Sequence, residues 1–378
     1  MKCIVLSDPH HHPFREFGFD NEGVNNRLIN SLRPLDDVIE LVKESINADE
    51  PFDFVAITGD IHEKRMTLDH LSMIMISQKI EELVSLVAIK IIPGNHDFVD
   101  KSGSRTFLKF LANLSSQSVF TIEVHTTPAK QEWEAISAIE RLDATDFVTA
   151  YYLPWMPVEQ YSDVVKKMSG DADKNDASSI LFTHQAITGS KYSSGMVSDG
   201  GVSPDIFSSF ELVVAGDCHK AQSIKPNILI PGSASQHDWG ESQERKYLWI
   251  IEIEGGKISI DKMETSSSRF VTMDVNSKKD LVTLLDKPSK HFVKVYFKNH
   301  EVYMVHVKEL TEMGVVCIPD WGITTLESEE EDRLDSKKDP LKIIEDYVDG
   351  MNIEDSQTKA RKKLGLEIIR SVFKDADS

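Results

Sequence analysis

Val87-Ala88-Ile89-Lys90-Ile91-Ile92-Pro93-Gly94-Asn95-His96-Asp97 is the stretch that decides how the chain is read. A short apolar run rich in β-branched residues predicts a buried strand, and it stops at a turn carrying ligand-type side chains. The same arrangement recurs upstream. Lys2 to Ser7 predicts a strand ending in Asp8-Pro9-His10, and Phe52 to Thr58 one ending in Gly59-Asp60. Downstream, Ile180 to Thr183 runs into His184, and Leu212 to Ala215 into Gly216-Asp217-Cys218-His219. Between the first three strands, Val24 to Ile46 and Leu68 to Leu83 read as helices. In the first, apolar residues recur at three- and four-residue steps, with Pro34 as a break or helix start. Strand, helix, strand, helix, strand implies right-handed βαβ units and a largely parallel sheet, hence an α/β fold. Ligands of such sheets bind at the carboxyl ends of the strands, so five strand ends could converge on one site.

Further short strands are predicted at Val119 to Val124, Phe147 to Leu153 and Ile228 to Ile230. Tyr247 to Glu254 and Lys257 to Met263 flank Gly255-Gly256 as a hairpin. Asp171 to Ser179 is polar and reads as a surface loop. After Ser266 to Ser268 the character changes. Strand-like runs at Phe270 to Val275, Phe292 to Phe297 and Tyr303 to Val307, with a helix near Lys279 to Leu285, predict a small α+β domain over 266–325. Glu327, Glu329, Glu330, Glu331 and Asp332 mark 326–340 as an acidic, solvated linker. Helical spacing returns over 341–378 at Leu341, Ile344, Val348, Leu364, Ile368 and Val372.

The 378 residues suggest two or three domains. A hydrophobic fraction of 40% and a charged fraction of 28% exclude collagen-like, mucin-like and wholly disordered chains. The longest apolar candidate, Leu83 to Ile92, is too short to span a membrane and is broken by Ser85 and Lys90. Asp8 comes too early for a signal peptide. Cys3, Cys218 and Cys317 form no disulfide framework, which points to a reducing, cytoplasmic compartment. The net charge of −20 argues against broad adhesion to nucleic acid. It does not exclude a nucleic-acid enzyme, because metal ions can supply a positive field locally.

Carboxylates mixed with imidazoles suit Mn, Fe or Zn rather than an all-oxygen Ca or Mg cage. A carboxylate shared by two ions, such as Asp60, holds them about 3.5–4 Å apart. A water between them loses its proton near neutral pH and can attack a phosphorus in line. Gly-Asp and Gly-Asn pairs also occur in ordinary turns, and a single histidine more often has a bland role. Five such sites in this order are harder to assign to turn chemistry.

Asp-x-His, Gly-Asp, Gly-Asn-His-Asp, a lone His and Gly-x-x-His together resemble the five-motif signature of calcineurin-like metallophosphoesterases, over residues 1–265. The resemblance implies a two-sheet β-sandwich flanked by helices and a dinuclear site. It implies that Asp8, His10, Asp60 and His219 hold one metal, and Asp60, Asn95, His184 and Asp217 the other. His96 is then the acid or charge stabiliser near the scissile phosphate, oriented by Asp97. The last motif departs from the family's Gly-His-x-His, because Asp217 puts a carboxylate where an imidazole is usual. That favours Mn or Mg at the second position, or else weakens it.

Within the superfamily the chain looks most like SbcD-type nuclease subunits of DNA recombination and repair, including bacteriophage versions. Tyr152-Leu153-Pro154-Trp155 and Ile230-Pro231-Gly232-Ser233 resemble that family's segments, and the domain order matches its layout. The resemblance implies a Mn-dependent exonuclease on duplex ends and endonuclease on single strands. It further implies a small domain capping DNA, terminal helices docking an SbcC-type SMC-like ATPase, and a homodimer, with no membrane partner. A phosphatase or cyclic-nucleotide phosphodiesterase on the same fold, or a weakly active scaffold for the ATPase, are the alternatives. Lys64, Arg65, Lys101 and Arg105 follow the second and third motifs and could meet a phosphate backbone or simply be solvated. His11, His12, His62 and His237 lie near the motifs without an assigned role. Trp155, Trp239 and Trp249 could stack on bases or pack in the core.

Overall fold

The computed structural model describes residues 1–321 apart from 16, 19, 22, 65–68, 100–104, 118–119, 125–136, 139–147, 173–177 and 283–290. Arg65, Lys101, the linker at 326–340 and the helices expected over 341–378 lie outside the described residues. In chain order the strands are β1 (Lys2–Leu6), β2 (Asp20–Asn21), β3 (Val24–Asn25), β4 (Phe54–Ile57), β5 (Ala88–Ile91), β6 (Ile122–Val124), β7 (Ser137–Ala138), β8 (Val148–Leu153) and β9 (Ser178–His184). They continue with β10 (Leu212–Gly216), β11 (Gln222–Lys225), β12 (Ile228–Ile230), β13 (Tyr247–Glu254), β14 (Lys257–Glu264), β15 (Phe270–Val275), β16 (Phe292–Phe297) and β17 (Val316–Pro319). The helices are α1 (Asn26–Asn47), α2 (His70–Val84), α3 (Val158–Ala172), α4 (Lys278–Val282) and α5 (His300–Glu312).

Two mixed six-stranded sheets, ordered β14-β13-β1-β4-β5-β6 and β11-β12-β10-β9-β8-β7, form the centre of the α/β core. The period-2 geometry of a strand lets each bury both faces. Cys3, Val5, Phe54 and Ala56 of the first sheet share one apolar cluster with Ala150, Tyr152, Ile180, Phe182 and Val214 of the second, which joins the sheets into a sandwich. The alternate residues Ile4, Leu6, Val55 and Ile57 instead share a cluster with Leu28, Leu32 and Leu35 of α1 and Ile76 and Ile80 of α2. Tyr151, Leu153, Leu181 and Val213 cluster with Tyr161, Val164 and Val165 of α3. The layers therefore run helix, sheet, sheet, helix. β1, β4 and β5 are mutually parallel, as are β9 and β10, so each sheet sends its carboxyl ends to one edge.

The helix from Asn26 to Asn47 continues through Pro34 rather than breaking there. An internal proline costs about 3 kcal/mol. Leu28, Leu32, Leu35, Val38, Ile39 and Val42 are all buried on the sheet, at roughly 1.5–3 kcal/mol each, and outweigh it. Asp171 and Ala172 end α3, while Ser178 and Ser179 open β9, so the expected loop is shorter than its polar stretch. The sheet β15-β16-β17 is parallel throughout, with α4 and α5 on it. Here Tyr303 to Val307 is helical, not a strand. Asn299 caps α5, accepting from the Glu301 and Val302 amides, and the helix lays Val302, Tyr303 and Leu310 against Val293, Val295 and Phe297. The third strand of this sheet is Val316–Pro319 instead. Phe270 stacks on Phe292 (4.9 Å between centroids) and meets Trp239 edge-on, and the Arg27 guanidinium lies over both phenylalanines.

Candidate metal centre

The five motif loops meet at the carboxyl edge of the two sheets, and backbone hydrogen bonds lace them together. Asp8 N–H donates to Gly59 O (3.2 Å), His10 N–H to Asp60 O (2.9 Å) and His11 N–H to Ile61 O (2.8 Å). Asp217 N–H from the second sheet donates to the Asp8 carboxylate. Asp8, His10, Asp60 and Asp217 all have positive φ, at 47°, 44°, 52° and 98°. Each such conformation costs on the order of 1–3 kcal/mol in a non-glycine residue and persists only where its surroundings over-determine it. Backbone strain is therefore concentrated on four of the expected ligands. Glycines clear the space between them. A Cβ on Gly94 would sit 2.2 Å from Asp60 Oδ1, and one on Gly59 2.2 Å from His184 Nδ1. Gly94→Ala is expected to displace the Asp60 carboxylate and weaken cation binding by about tenfold or more, read by Mn titration.

Asp60 stands in the middle. Its Oδ2 lies 3.5 Å from His10 Nε2 on one side and 3.4 Å from His184 Nε2 on the other. Its Oδ1 accepts the His96 amide at 2.8 Å. On the first side, His219 Nε2 faces His10 Nε2 at 3.1 Å. On the second, His184 Nε2 is 3.2 Å from Asn95 Oδ1 and 3.8 Å from Asp217 Oδ1. Donor atoms of Asp8, Asp60 and His184 lie within 4.8 Å of one another. All seven expected ligands are thus brought together around the Asp60 carboxylate, His10 and His219 on one side and Asp8, Asn95, His184 and Asp217 on the other.

The histidines are oriented from behind, as ligating imidazoles are. His184 Nδ1 donates to Thr58 O at 2.8 Å, leaving Nε2 toward the centre. His219 Nδ1 bonds Glu241 Oε1 at 2.9 Å. The Glu241 carboxylate is itself fixed by Lys246 Nζ (2.9 Å) and the His237 amide (3.1 Å). His10 Nδ1 lies 2.8 Å from Glu63 Oε2, in an alignment that falls short of a hydrogen bond. Glu241 and Glu63 were not foreseen. Glu63 sits three residues past Asp60, but nothing local marks Glu241, which reaches His219 only through the fold. Glu241→Gln is expected to weaken cation binding about 10–100-fold, measured by the same titration.

Charge state follows from this crowding. Burial pulls His10 down, but the carboxylates of Glu63, Asp60 and Asp8 outweigh it and raise it to about 9. Burial opposes His184 too, and Asp60, Asp8 and Asp217 hold it well above the usual imidazole range. Asp60 is pushed up by burial yet held below the carboxylate range by His184, His10 and His96. Asp217 rises to about 6, first through burial, with His184 opposing and Asp60 and Asp8 adding. Facing imidazoles and carboxylates are a donor set that suits divalent cations: His10 and His219 would serve one position and Asn95, His184 and Asp217 the other, with Asp60 between them. Asp8 lies with Asp60 and His184 rather than, as expected, with the first pair.

The signs of two pH effects differ. Without metal, His10 stabilises the fold fully below about pH 6.5, and that contribution is lost as pH rises through about 9. Asp217, raised by burial, acts in the same direction between 3.8 and about 6. Cation binding expels these protons, so affinity climbs with pH. In EDTA the melting temperature is expected to fall from pH 6 to 9 while Mn affinity rises. Melting curves paired with Mn titration check both.

The remaining expectations divide. His96 is half-buried beside the centre, its ring centroid 5.0 Å from that of His10, with Nδ1 2.5 Å from Glu63 O. Asp97 does not orient it. The Asp97 carboxylate accepts instead from Gly94 N (2.9 Å) and His62 N (3.2 Å), because the loop turns it inward to brace the backbone. It is fully buried and raised to about 7, by desolvation first and then by Asp60. His237 Nε2 donates to Asp8 O (3.1 Å), and burial keeps that imidazole neutral. His11 is buried against Ser31 Oγ at 3.1 Å, away from the ligands. Lys64 and Arg105 are exposed. A cavity of about 340 Å³ opens on Asp217 and His219 and is walled by Tyr192, Ser193, Ser194 and Glu241.

Comparison with known proteins agrees with this geometry. A protein described as a phosphoesterase, 078R of Invertebrate iridescent virus 3, is 24% identical over 230 residues, which is 59% of this chain and 60% of that protein. Another so described, 244L of Invertebrate iridescent virus 6, is 25% identical over 320 residues, 80% of this chain and 99% of that one. The chain thus spans less than two thirds of the first relative and nearly all of the second. The family model for calcineurin-like phosphoesterases matches residues 1–221, a span that holds every ligand described above. The chain belongs to the calcineurin-like phosphoesterases, metal-dependent hydrolases of phosphoesters.

Proposed function

We propose that the chain is the nuclease subunit of an SbcC/SbcD-type recombination and repair complex, hydrolysing DNA phosphodiesters with two divalent cations, Mn foremost. The observation that carries the reading is that both sequence segments resembling SbcD-type subunits are built into the site. In Tyr152-Leu153-Pro154-Trp155, Trp155 N–H donates to Pro93 O (3.0 Å) and the indole packs on Phe98, so the segment buttresses the Asn95-His96 loop. In Pro231-Gly232-Ser233, Ser233 N–H donates to His219 O (3.0 Å) and clasps the last ligand loop.

Bound cations supply Lewis acidity and an activated water. The chain's own residues do the rest. Asp60 charge-balances both positions, and Glu241 and Thr58 fix the imidazole tautomers. His96 Nδ1 donates to the Glu63 carbonyl, which leaves Nε2 as the ring atom that exchanges a proton with the reacting phosphoester. In this reading the small domain built on β15-β16-β17 caps the DNA, residues 341–378 dock an SMC-like ATPase, the subunit is a homodimer, and it works in the cytoplasm. Among the described residues no helix is long and apolar enough to cross a membrane.

Purified protein with Mn is expected to degrade linear duplex DNA and nick single-stranded circles. Hydrolysis of bis-p-nitrophenyl phosphate alone would instead mark a small-ester phosphodiesterase. Truncation after Asp339 is expected to abolish copurification with the ATPase, and unchanged copurification would reject the docking role.

A further inference from the structure

A second cavity, of about 660 Å³, adjoins the one that opens on Asp217 and His219, and the two share Ser193 and Gly240 as walls. The metal centre therefore continues into a groove rather than ending in a closed pocket. Its lining includes Lys220, Arg245, Tyr247, Trp249 and Lys262. In a chain of net charge −20 this is a local reversal of sign beside the reactive centre. Glu244 also lines the groove, but its carboxylate is taken by the buried Lys246 at 2.9 Å. Arg245 is paired with exposed Glu264 at 2.6 Å, a contact of the kind worth little in water. Among the described residues neither the Lys220 nor the Lys262 ammonium is in an ion pair.

The aromatic residues are arranged to match. Tyr247 and Trp249 are two apart on β13 and so project from one face, with ring centroids 6.0 Å apart. Lys262 Nζ lies 4.2 Å from the Tyr247 ring centroid and 5.6 Å from that of Trp249. Trp249 Nε1 donates to Pro231 O (2.9 Å), which fixes the indole. Pro231 opens the turn whose Ser233 amide holds the His219 loop. The platform and the metal centre are thus registered by one turn.

We propose that this groove binds a single-stranded stretch of the nucleic acid whose phosphodiester lies at the metal centre, its bases stacking on Tyr247 and Trp249 and its phosphates meeting Lys220 and Lys262. Cations set against aromatic rings in one groove are the chemistry of strand binding, and only unpaired bases offer a face to stack. The proposal rests on the nuclease reading and adds which form of the substrate is held and where.

The test uses full-length protein in EDTA, where no hydrolysis occurs, with fluorescein-labelled oligothymidylate followed by anisotropy over a salt series. Lys220→Ala/Lys262→Ala is expected to weaken binding and to flatten the slope of log K against log salt by about 0.7 for each cation removed. Trp249→Phe, which keeps the ring but loses the Pro231 bond, is expected to weaken binding with the slope unchanged. Unchanged Mn stoichiometry in each variant shows that the fold is intact. If wild type cleaves DNA in Mn but the double variant binds oligothymidylate with wild-type affinity and slope, the groove assignment is overturned and the nuclease reading stands. If wild type neither binds nor cleaves DNA, while polyglutamate occupies the groove, both are overturned.

Discussion

Asp60→Asn is expected to empty both cation positions together and to abolish hydrolysis. One oxygen, Oδ2, faces His10 at 3.5 Å and His184 at 3.4 Å, so both sides lose the same donor. Loss of an orienting partner behind a ligand costs about 10–100-fold in affinity, and loss of a shared ligand must exceed that range for each ion. The substitution is isosteric. The amide oxygen can still accept the His96 N–H, so a folded variant that has lost its metals is the predicted state. Equilibrium dialysis against Mn, followed by elemental analysis, reads the result, with melting in EDTA as the check on folding. A variant that keeps one ion would mean that the two groups of ligands are independent.

His96→Ala should behave in the opposite way, keeping both ions and losing turnover. Its ring is half-buried and lies beside His10 and Glu63, and it is the His96 amide, not the ring, that bonds Asp60. A positioned proton donor or acceptor is worth about 10²–10⁴-fold in rate, and a loss in that range is expected in kcat with Mn affinity near wild type. The loss should be smaller on a diester whose leaving group needs no proton, such as bis-p-nitrophenyl phosphate. Equal losses on DNA and on that ester would assign His96 to charge stabilisation alone. Full activity would remove it from the reaction.

The constellation was legible because parallel sheets place ligands in a stereotyped way: an apolar strand, then a turn with Asp, Asn or His, five times over. No contact had to be known to expect Asp8, Asp60 and His184 near one another. What stayed hidden is what the fold supplies from a distance. Glu241 closes a single short turn that begins at Trp239, and Lys246 and the His237 amide, both distant in sequence from Asp8 and Asp60, hold its carboxylate behind His219. Asp97 was misread because adjacency to His96 suggested contact, whereas a tight turn sends neighbouring side chains in opposite directions. In the small domain, Tyr303-Met304-Val305-His306-Val307 has the β-branched content of a strand, and the Asn299 cap overrides it. Pro34 misled in the converse way, since burial on the sheet exceeds the cost of one lost hydrogen bond.

The most direct measurement is Mn(II) electron paramagnetic resonance on the metal-reconstituted protein, titrated to saturation. Two ions held by one carboxylate oxygen should give a spin-coupled signal at two Mn per chain, and Asp60→Asn should abolish it. A saturated sample showing only the six-line pattern of isolated Mn(II), or a single ion per chain, would contradict a centre organised on Asp60.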